Sequence, residues 1–178
     1  MKSKKILFSL TGSIACYKAC FVISKLIQKG YDLQIICSKN ALNFIGKATL
    51  EGLTQKEVLT DMFDKKLYTK HIELSSWADI FVICPATANI INKLAQGIAD
   101  DYISTTFLSW NLKKPCLIFP AMNENMYIHP ITRQAIKKLN SIGVYISPTS
   151  QGYLACGVSG KGRLLEPEQI IKIIEKYL

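Results

Sequence analysis

Short apolar runs alternate along this chain with longer stretches of helical periodicity. The runs are Lys5-Ile6-Leu7-Phe8-Ser9-Leu10, Leu33 to Cys37, Asp79-Ile80-Phe81-Val82-Ile83-Cys84, Cys116-Leu117-Ile118-Phe119 and Val144-Tyr145-Ile146. Each is short enough and apolar enough to predict a strand buried on both faces. Between them, Ile14 to Lys29 places Ile14, Phe21, Val22 and Leu26 at helical spacing, and Gly30 stops it. A second helix is predicted to start over Asn40 to Phe44, and further helices over Ala88 to Ala95, Tyr102 to Trp110 and Ile131 to Leu139. Glu166 to Leu178 closes the chain as a helix with Pro167 in its first turn. Buried strands alternating with helices predict an α/β domain: an open parallel sheet with helices on both faces. Gln151 to Arg163 carries four glycines and little periodicity, and reads as a long functional loop.

Composition bounds this picture. The chain has 178 residues, 49% of them apolar, which fits one domain spanning the whole length. No apolar run approaches the roughly eighteen residues of a membrane span, and the apolar run after Met1-Lys2-Ser3-Lys4-Lys5 is too short for a signal peptide. The expected location is therefore cytoplasmic, with no membrane partner. The six cysteines form no C-x-x-C pair, and Cys37, Cys84 and Cys116 lie in apolar runs as buried free thiols. With only His71 and His129 and no ligand spacing, no metal site is expected. The 22 basic residues outnumber the 13 acidic ones, but 20 of them are lysines scattered singly or in pairs. Base readout favours arginine and a nucleic-acid face needs clustering, so a dispersed lysine surface is the better account.

Open α/β sheets bind ligands outside the carboxyl ends of their strands. The segments that follow the strands are Thr11-Gly12-Ser13, Ser38-Lys39-Asn40, Pro85-Ala86-Thr87-Ala88-Asn89 and Pro120-Ala121-Met122-Asn123, together with the loop around Cys156. Gly12-Ser13-Ile14 joins a strand to a helix start and suits an anion, or is a simple capped turn. It is no dinucleotide fingerprint, because Ile14 and Tyr17 stand where two further glycines belong. Ser38, Lys39 and Asn40 stand where an acidic residue would hold a ribose, and they suit a phosphate better. In Pro85 to Asn89, small alanines leave room for a flat ring, and Thr87 is either a ligand donor or a helix N-cap.

Gly12-Ser13-Ile14-Ala15, His71-Ile72-Glu73-Leu74 with Trp77-Ala78-Asp79, Pro85-Ala86-Thr87-Ala88-Asn89, Pro120-Ala121-Met122-Asn123-Glu124-Asn125-Met126 and Ala155-Cys156-Gly157 occur in this order. Over nearly the whole chain this resembles the homo-oligomeric flavin-containing cysteine decarboxylases, which are three-layer Rossmann-like or flavodoxin-like flavoproteins. The P-x-M-N-x-x-M motif and the downstream cysteine carry the resemblance. It implies FMN held between the subunits of a homotrimer or an assembly of trimers. Gly12, Ser13, Ile14, Ser38, Asn40, Thr87, Ala88, Asn89 and Ala121 would line the flavin site. Thr87, Ile90 and Tyr127 replace Ser, Thr and Trp of the family pattern. Ser75-Ser76 stand where relatives often carry a basic residue before Trp77, and Val158 where an acidic one is common.

The branch most like this chain acts on a small phosphorylated pantothenoyl-cysteine substrate in coenzyme A biosynthesis. The flavin oxidises the cysteine moiety, CO₂ leaves, and the enethiol is reduced again. The resemblance makes His71 the active-site base, and an imidazole is a side chain suited to thiol proton transfer. Asn123 offers two donors and an acceptor, able to grip a carboxylate without the ground-state stabilisation a cation would add. Cys156 would be the final acid, in a substrate-covering loop over 148–165. Met126, Lys161 and Arg163 join Asn123 as candidate substrate-binding residues. The rival readings are a peptidyl-cysteine oxidative decarboxylase, a flavin prenyltransferase and a flavin-binding regulatory subunit. Cys156 favours the complete reaction. With the chain ending at Leu178, ligation of cysteine is expected to fall to a separate polypeptide.

Overall fold

The computed structural model describes residues 3–63, 68–153, 157 and 159–178. Five strands, β1 (Lys5–Leu10), β2 (Asp32–Cys37), β3 (Ile80–Ala86), β4 (Cys116–Pro120) and β5 (Tyr145–Ile146), form a parallel sheet in the order β2-β1-β3-β4-β5. Alternation along each strand sends side chains to two cores. Ile6, Phe8, Leu10, Val82 and Phe119 meet the helices α1 (Cys16–Gln28), α2 (Lys47–Thr54) and α8 (Pro167–Lys176) on one face. Leu7, Phe81, Ile83 and Ile118 meet α3 (Lys70–Trp77), α4 (Ala88–Gln96), α5 (Tyr102–Ser109) and α7 (Pro130–Ser141) on the other. Strands sandwiched this way have no solvated face, which is why their sequences are apolar without alternation.

The helices differ in detail from the periodicity. In α1 the buried face is Cys16, Ala19, Val22, Ile23 and Leu26, while Ile14 is 59% and Phe21 65% exposed. Ile14 and Phe21 therefore belong to an outward stripe with Tyr17, not to the core. The helix predicted over Asn40 to Phe44 is one 3₁₀ turn (Lys39–Asn43) capped by Ser38, and α2 follows it unpredicted. Helix α3 and the short α6 (Glu124–Ile128) are further additions. Strand β3 runs through Pro85, where the β3–β4 register shifts between Ile83 and Ala86. A shift of this kind accommodates the amide hydrogen that proline lacks. Within the segment read as a loop, the described residues instead form two antiparallel strands, β6 (Ser150–Tyr153) and β7 (Ser159–Arg163). Their pattern is hard to recognise because glycines occupy positions where an alternating strand carries side chains. No helix among the described residues is long and apolar enough to cross a membrane.

The hairpin leads into α8 through a charged junction. Lys18 of α1, 5% exposed, donates to Glu166 at 2.9 Å, and the Arg163 guanidinium reaches the same oxygen at 3.0 Å. The Lys18 ammonium holds the Glu166 carboxyl below its ordinary range, with Arg163 adding to the effect. Because the folded-state pKa is depressed, this stabilisation is complete above the usual glutamate range and is lost as pH falls through the folded value. Thermal melts from ~pH 6 to ~pH 3 should therefore show the wild type losing more Tm than Glu166→Gln, whose neutral amide does not titrate. Parallel losses would remove the junction from the acid response.

Candidate active site

Strand order 2-1-3-4-5 places a topological switch between β1 and β3, since the chain leaves β1 toward one edge and β3 toward the other. At the carboxyl ends of these strands the backbone is stitched together. Thr11 donates its hydroxyl to Pro85 O at 2.7 Å and accepts Thr87 N–H at 3.0 Å. The β1–α1 turn also meets the 3₁₀ turn closely: a Cβ on Gly12 would lie 2.7 Å from Asn40 Cβ. No side chain fits there, so glycine is a packing requirement at this position.

A cleft of 590 Å³ opens at this switch. Among the sequence-predicted residues it brings together Gly12, Ser38, Asn40, Thr87, Asn89 and Met126. Ser38 and Thr87 each cap a helical turn, accepting Ala41 N–H at 3.2 Å and Ile90 N–H at 3.4 Å. Capping sets both hydroxyls at helix starts, where the free backbone N–H groups favour an anion. Thr87 is thus both cap and cleft wall.

Other predicted residues stand apart from this cleft. Ala88 and Ala121 are buried behind it, with Ala121 N–H bonded to Ala86 O at 2.9 Å. Ser13 accepts Ala15 N–H at 3.2 Å, and Ile14 points outward. Lys39 and Lys93 line the cleft, but each is paired. Lys39 meets Asp61 at 2.8 Å, and Lys93 meets Asp100 at 2.7 Å and Asp101 at 3.3 Å. These cations hold the Asp61 and Asp100 carboxyls below the usual range. Beside these paired charges, the polar wall carries hydroxyls and amides, among them Ser38, Asn40, Thr87 and Asn89. Asp61, Met62 and Phe63 also line the cleft, although no motif pointed to them. They reach it because the β2-side loop folds back, with Leu59 N–H bonded to Ile35 O at 3.2 Å and Cys37 N–H to Leu59 O at 2.8 Å.

His71 lies in the first turn of α3, where its Nδ1 is buried and makes no hydrogen bond to any of the described residues. The helix that carries it is held at the opposite end. Lys114 donates to Ser75 O, Ser76 O and Ala78 O at 3.1, 3.0 and 2.8 Å, satisfying carbonyls left open at the C-terminus. Ser75 is buried and within 2.6 Å of Ser109 Oγ. Asn123 ends the β4 loop as the cap of α6, accepting Asn125 N–H at 2.9 Å. Three residues further along that helix, Met126 reaches the cleft. Lys161 lies in β7 beside this segment, and Arg163 is engaged with Glu166. Cys156 lies outside the described residues. Cys37, Cys84 and Cys116 are free and buried, and burial pushes their thiols up, as it pushes Cys16 up to about 11. None of these four is a ready nucleophile.

Comparison with known proteins agrees with the geometry. The bifunctional coenzyme A biosynthesis protein CoaBC of Bacillus subtilis is 43% identical over 179 residues, covering 99% of this chain and 44% of the relative. That of Borreliella burgdorferi is 38% identical over 174 residues, covering 97% and 44%. The chain thus spans under half the length of these curated relatives. Among solved structures, a PPC decarboxylase mutant complexed with pantothenoylaminoethenethiol superposes with a TM-score of 0.88 at 26% identity, covering 99% of this chain and 98% of that one. The FMN binding protein AtHal3 superposes with a TM-score of 0.87 at 27% identity, covering 99% and 97%. The Flavoprotein family profile matches residues 1–178, and with the switch-point cleft and the order of motifs along the sheet, the chain belongs to the flavoprotein family.

Proposed function

We propose that this protein is an FMN-dependent phosphopantothenoylcysteine decarboxylase, converting 4′-phosphopantothenoylcysteine to 4′-phosphopantetheine and CO₂. One observation carries the reading. Met126, on the short helix that Asn123 caps, lines the same cleft as Gly12, Ser38 and Thr87. The candidate carboxylate-binding segment is thereby joined to the candidate flavin site. The donor set fits FMN: hydroxyls of Ser38 and Thr87 and amides of Asn40 and Asn89 for its polar groups, with Met62, Phe63 and Ile90 as apolar wall. Ser13, Ile14, Ala88 and Ala121 extend this set by the resemblance. When bound, FMN supplies a two-electron acceptor and donor for the cysteine moiety.

The protein's residues do the rest. His71 handles the substrate thiol proton at its ring nitrogen, and its Nδ1, without a partner among the described residues, leaves a valence for that work. Asn123 binds the carboxylate through its amide and releases it as neutral CO₂. The net reaction replaces a carboxylate by hydrogen and consumes one proton, which Cys156 supplies from Sγ. Lys161 and Arg163 lie on the hairpin side, where the substrate phosphate would meet them, and the hairpin covers the substrate against water.

The assembly is a homotrimer with the cleft completed by a neighbouring copy. The exposed stripe of Ile14, Tyr17 and Phe21 beside the Gly12 turn, with Phe44 also half exposed, supports this reading.

The test is to purify the protein and measure bound flavin and sedimenting mass, then follow CO₂ and phosphopantetheine after adding the substrate. Flavin-free protein that makes neither product overturns the proposal. In Cys156→Ser, CO₂ release should persist while phosphopantetheine formation falls by about 10²-fold or more, the scale of a lost general acid. Equal loss of both products would remove Cys156 from the last step.

A further inference from the structure

Asn123 has a neighbour on either side in sequence, and both are fastened to strand β7. Met122 N–H donates to Gly162 O at 3.0 Å. The Glu124 carboxylate accepts Lys161 N–H through Oε1 at 3.0 Å. The approach is close enough to exclude side chains from β7. A Cβ on Gly160 would lie 2.5 Å from Glu124 Oε2, and one on Gly162 would lie 2.3 Å from Met122 O. Gly162 also has φ +114°, a conformation costly for other residues. Thr149 Oγ1 accepts Gly162 N–H at 3.1 Å, tying β7 back to the start of the hairpin.

β7 is paired to β6 along one edge, so the N–H groups of its other edge need acceptors. Glu124 supplies one as an ionised acceptor, the stronger kind. It does so from the position directly after Asn123, with the Met122–Gly162 hydrogen bond directly before it.

We propose that Glu124 is a positioning residue: by clamping Lys161 N–H of β7 it fastens the chain directly after Asn123, complementing the Met122–Gly162 hydrogen bond before it, and so fixes how Asn123 meets the substrate carboxylate. The functional half of this inference rests on the decarboxylase reading, and the clamp itself does not. Glu124 touches no reacting atom. Its effect is on a neighbour's orientation, which a few tenths of an ångström can spoil.

The test uses the flavin-bound protein and three variants. Glu124→Ala removes the acceptor. Gly160→Ala displaces the Glu124 carboxylate with a methyl group while leaving Glu124 in place. Either change should raise KM for phosphopantothenoylcysteine by roughly 10-fold, the scale of one charge-assisted hydrogen bond. The Ki of phosphopantetheine, which lacks the carboxylate, should stay at the wild-type value. The double variant should be no worse than either single one, because both remove the same contact. Glu124→Gln keeps an acceptor oxygen and should retain a near-native KM. Lys161 amide hydrogen exchange should be slow in the wild type and Glu124→Gln, and fast in Glu124→Ala and Gly160→Ala. Unchanged exchange in Glu124→Ala overturns the clamp whatever the turnover. A joint rise of KM and Ki, or additive single effects, overturns the positioning role. If the wild type releases no CO₂, it is the decarboxylase reading that fails, and exchange alone then judges the clamp.

Discussion

Asn123→Asp should abolish most decarboxylation while leaving the protein folded and flavin-bound. Asparagine and aspartate are near-equal N-caps, so the acceptor for Asn125 N–H, now at 2.9 Å, survives the change. What changes is the charge presented to the substrate carboxylate. Two like charges brought together in a covered site cost about 3–4 kcal/mol, roughly a 10²- to 10³-fold loss in kcat/KM. Asn123→Ala loses cap and ligand together and should also lower Tm. The pair therefore separates structure from chemistry. The measurements are CO₂ release, flavin absorbance and Tm on each variant. Asn123→Asp with near-native turnover would show that the carboxylate is held elsewhere.

Gly12→Ala should remove the flavin. The added Cβ would sit 2.7 Å from Asn40 Cβ and 3.2 Å from the Asn40 carbonyl. The neighbour is backbone-linked and cannot rotate away, so the β1–α1 turn and the 3₁₀ turn must separate. Overpacking of this kind costs about 1–3 kcal/mol, at about 2–4 °C in Tm per kcal/mol for a chain of this size. Both turns line the cleft, so their separation also spreads the groups proposed to bind FMN. Purified Gly12→Ala should carry little flavin and melt several degrees lower. Full flavin occupancy would mean that cofactor binding does not depend on this contact.

Much of the site was legible because ligand-binding residues in a parallel sheet follow directly after strands, and buried strands are conspicuous. Gly12, Ser38, Thr87 and Asn89 were found this way, and the cleft gathers them. Asp61, Met62 and Phe63 were not, because they follow no sheet strand and reach the cleft only through pairing of Leu59 with β2. Charge pairing likewise depends on the fold. Lys39 sits in a segment that suits a phosphate and Arg163 is a candidate substrate-binding residue, and each also pairs with a carboxylate, Lys39 with the distant Asp61 and Arg163 with Glu166 three residues on. Local patterning likewise misplaced Ile14 and Phe21, since helical periodicity locates an apolar stripe but not which stripe meets the sheet.

The sequence by itself determined the layers and the chemistry at their ends. Five continuous apolar runs can be satisfied only as strands covered on both faces, and small, hydroxyl and amide residues after them belong at the carboxyl edge. Strand order was decided only in the tertiary structure, because nothing in an apolar run names its neighbour. That order sets the switch between β1 and β3 and hence the cleft. The β6–β7 hairpin and its clamp were decided there too. Its glycines are silent in a hydrophobic pattern, and their purpose appears only when Glu124 and Met122 come within van der Waals distance of them.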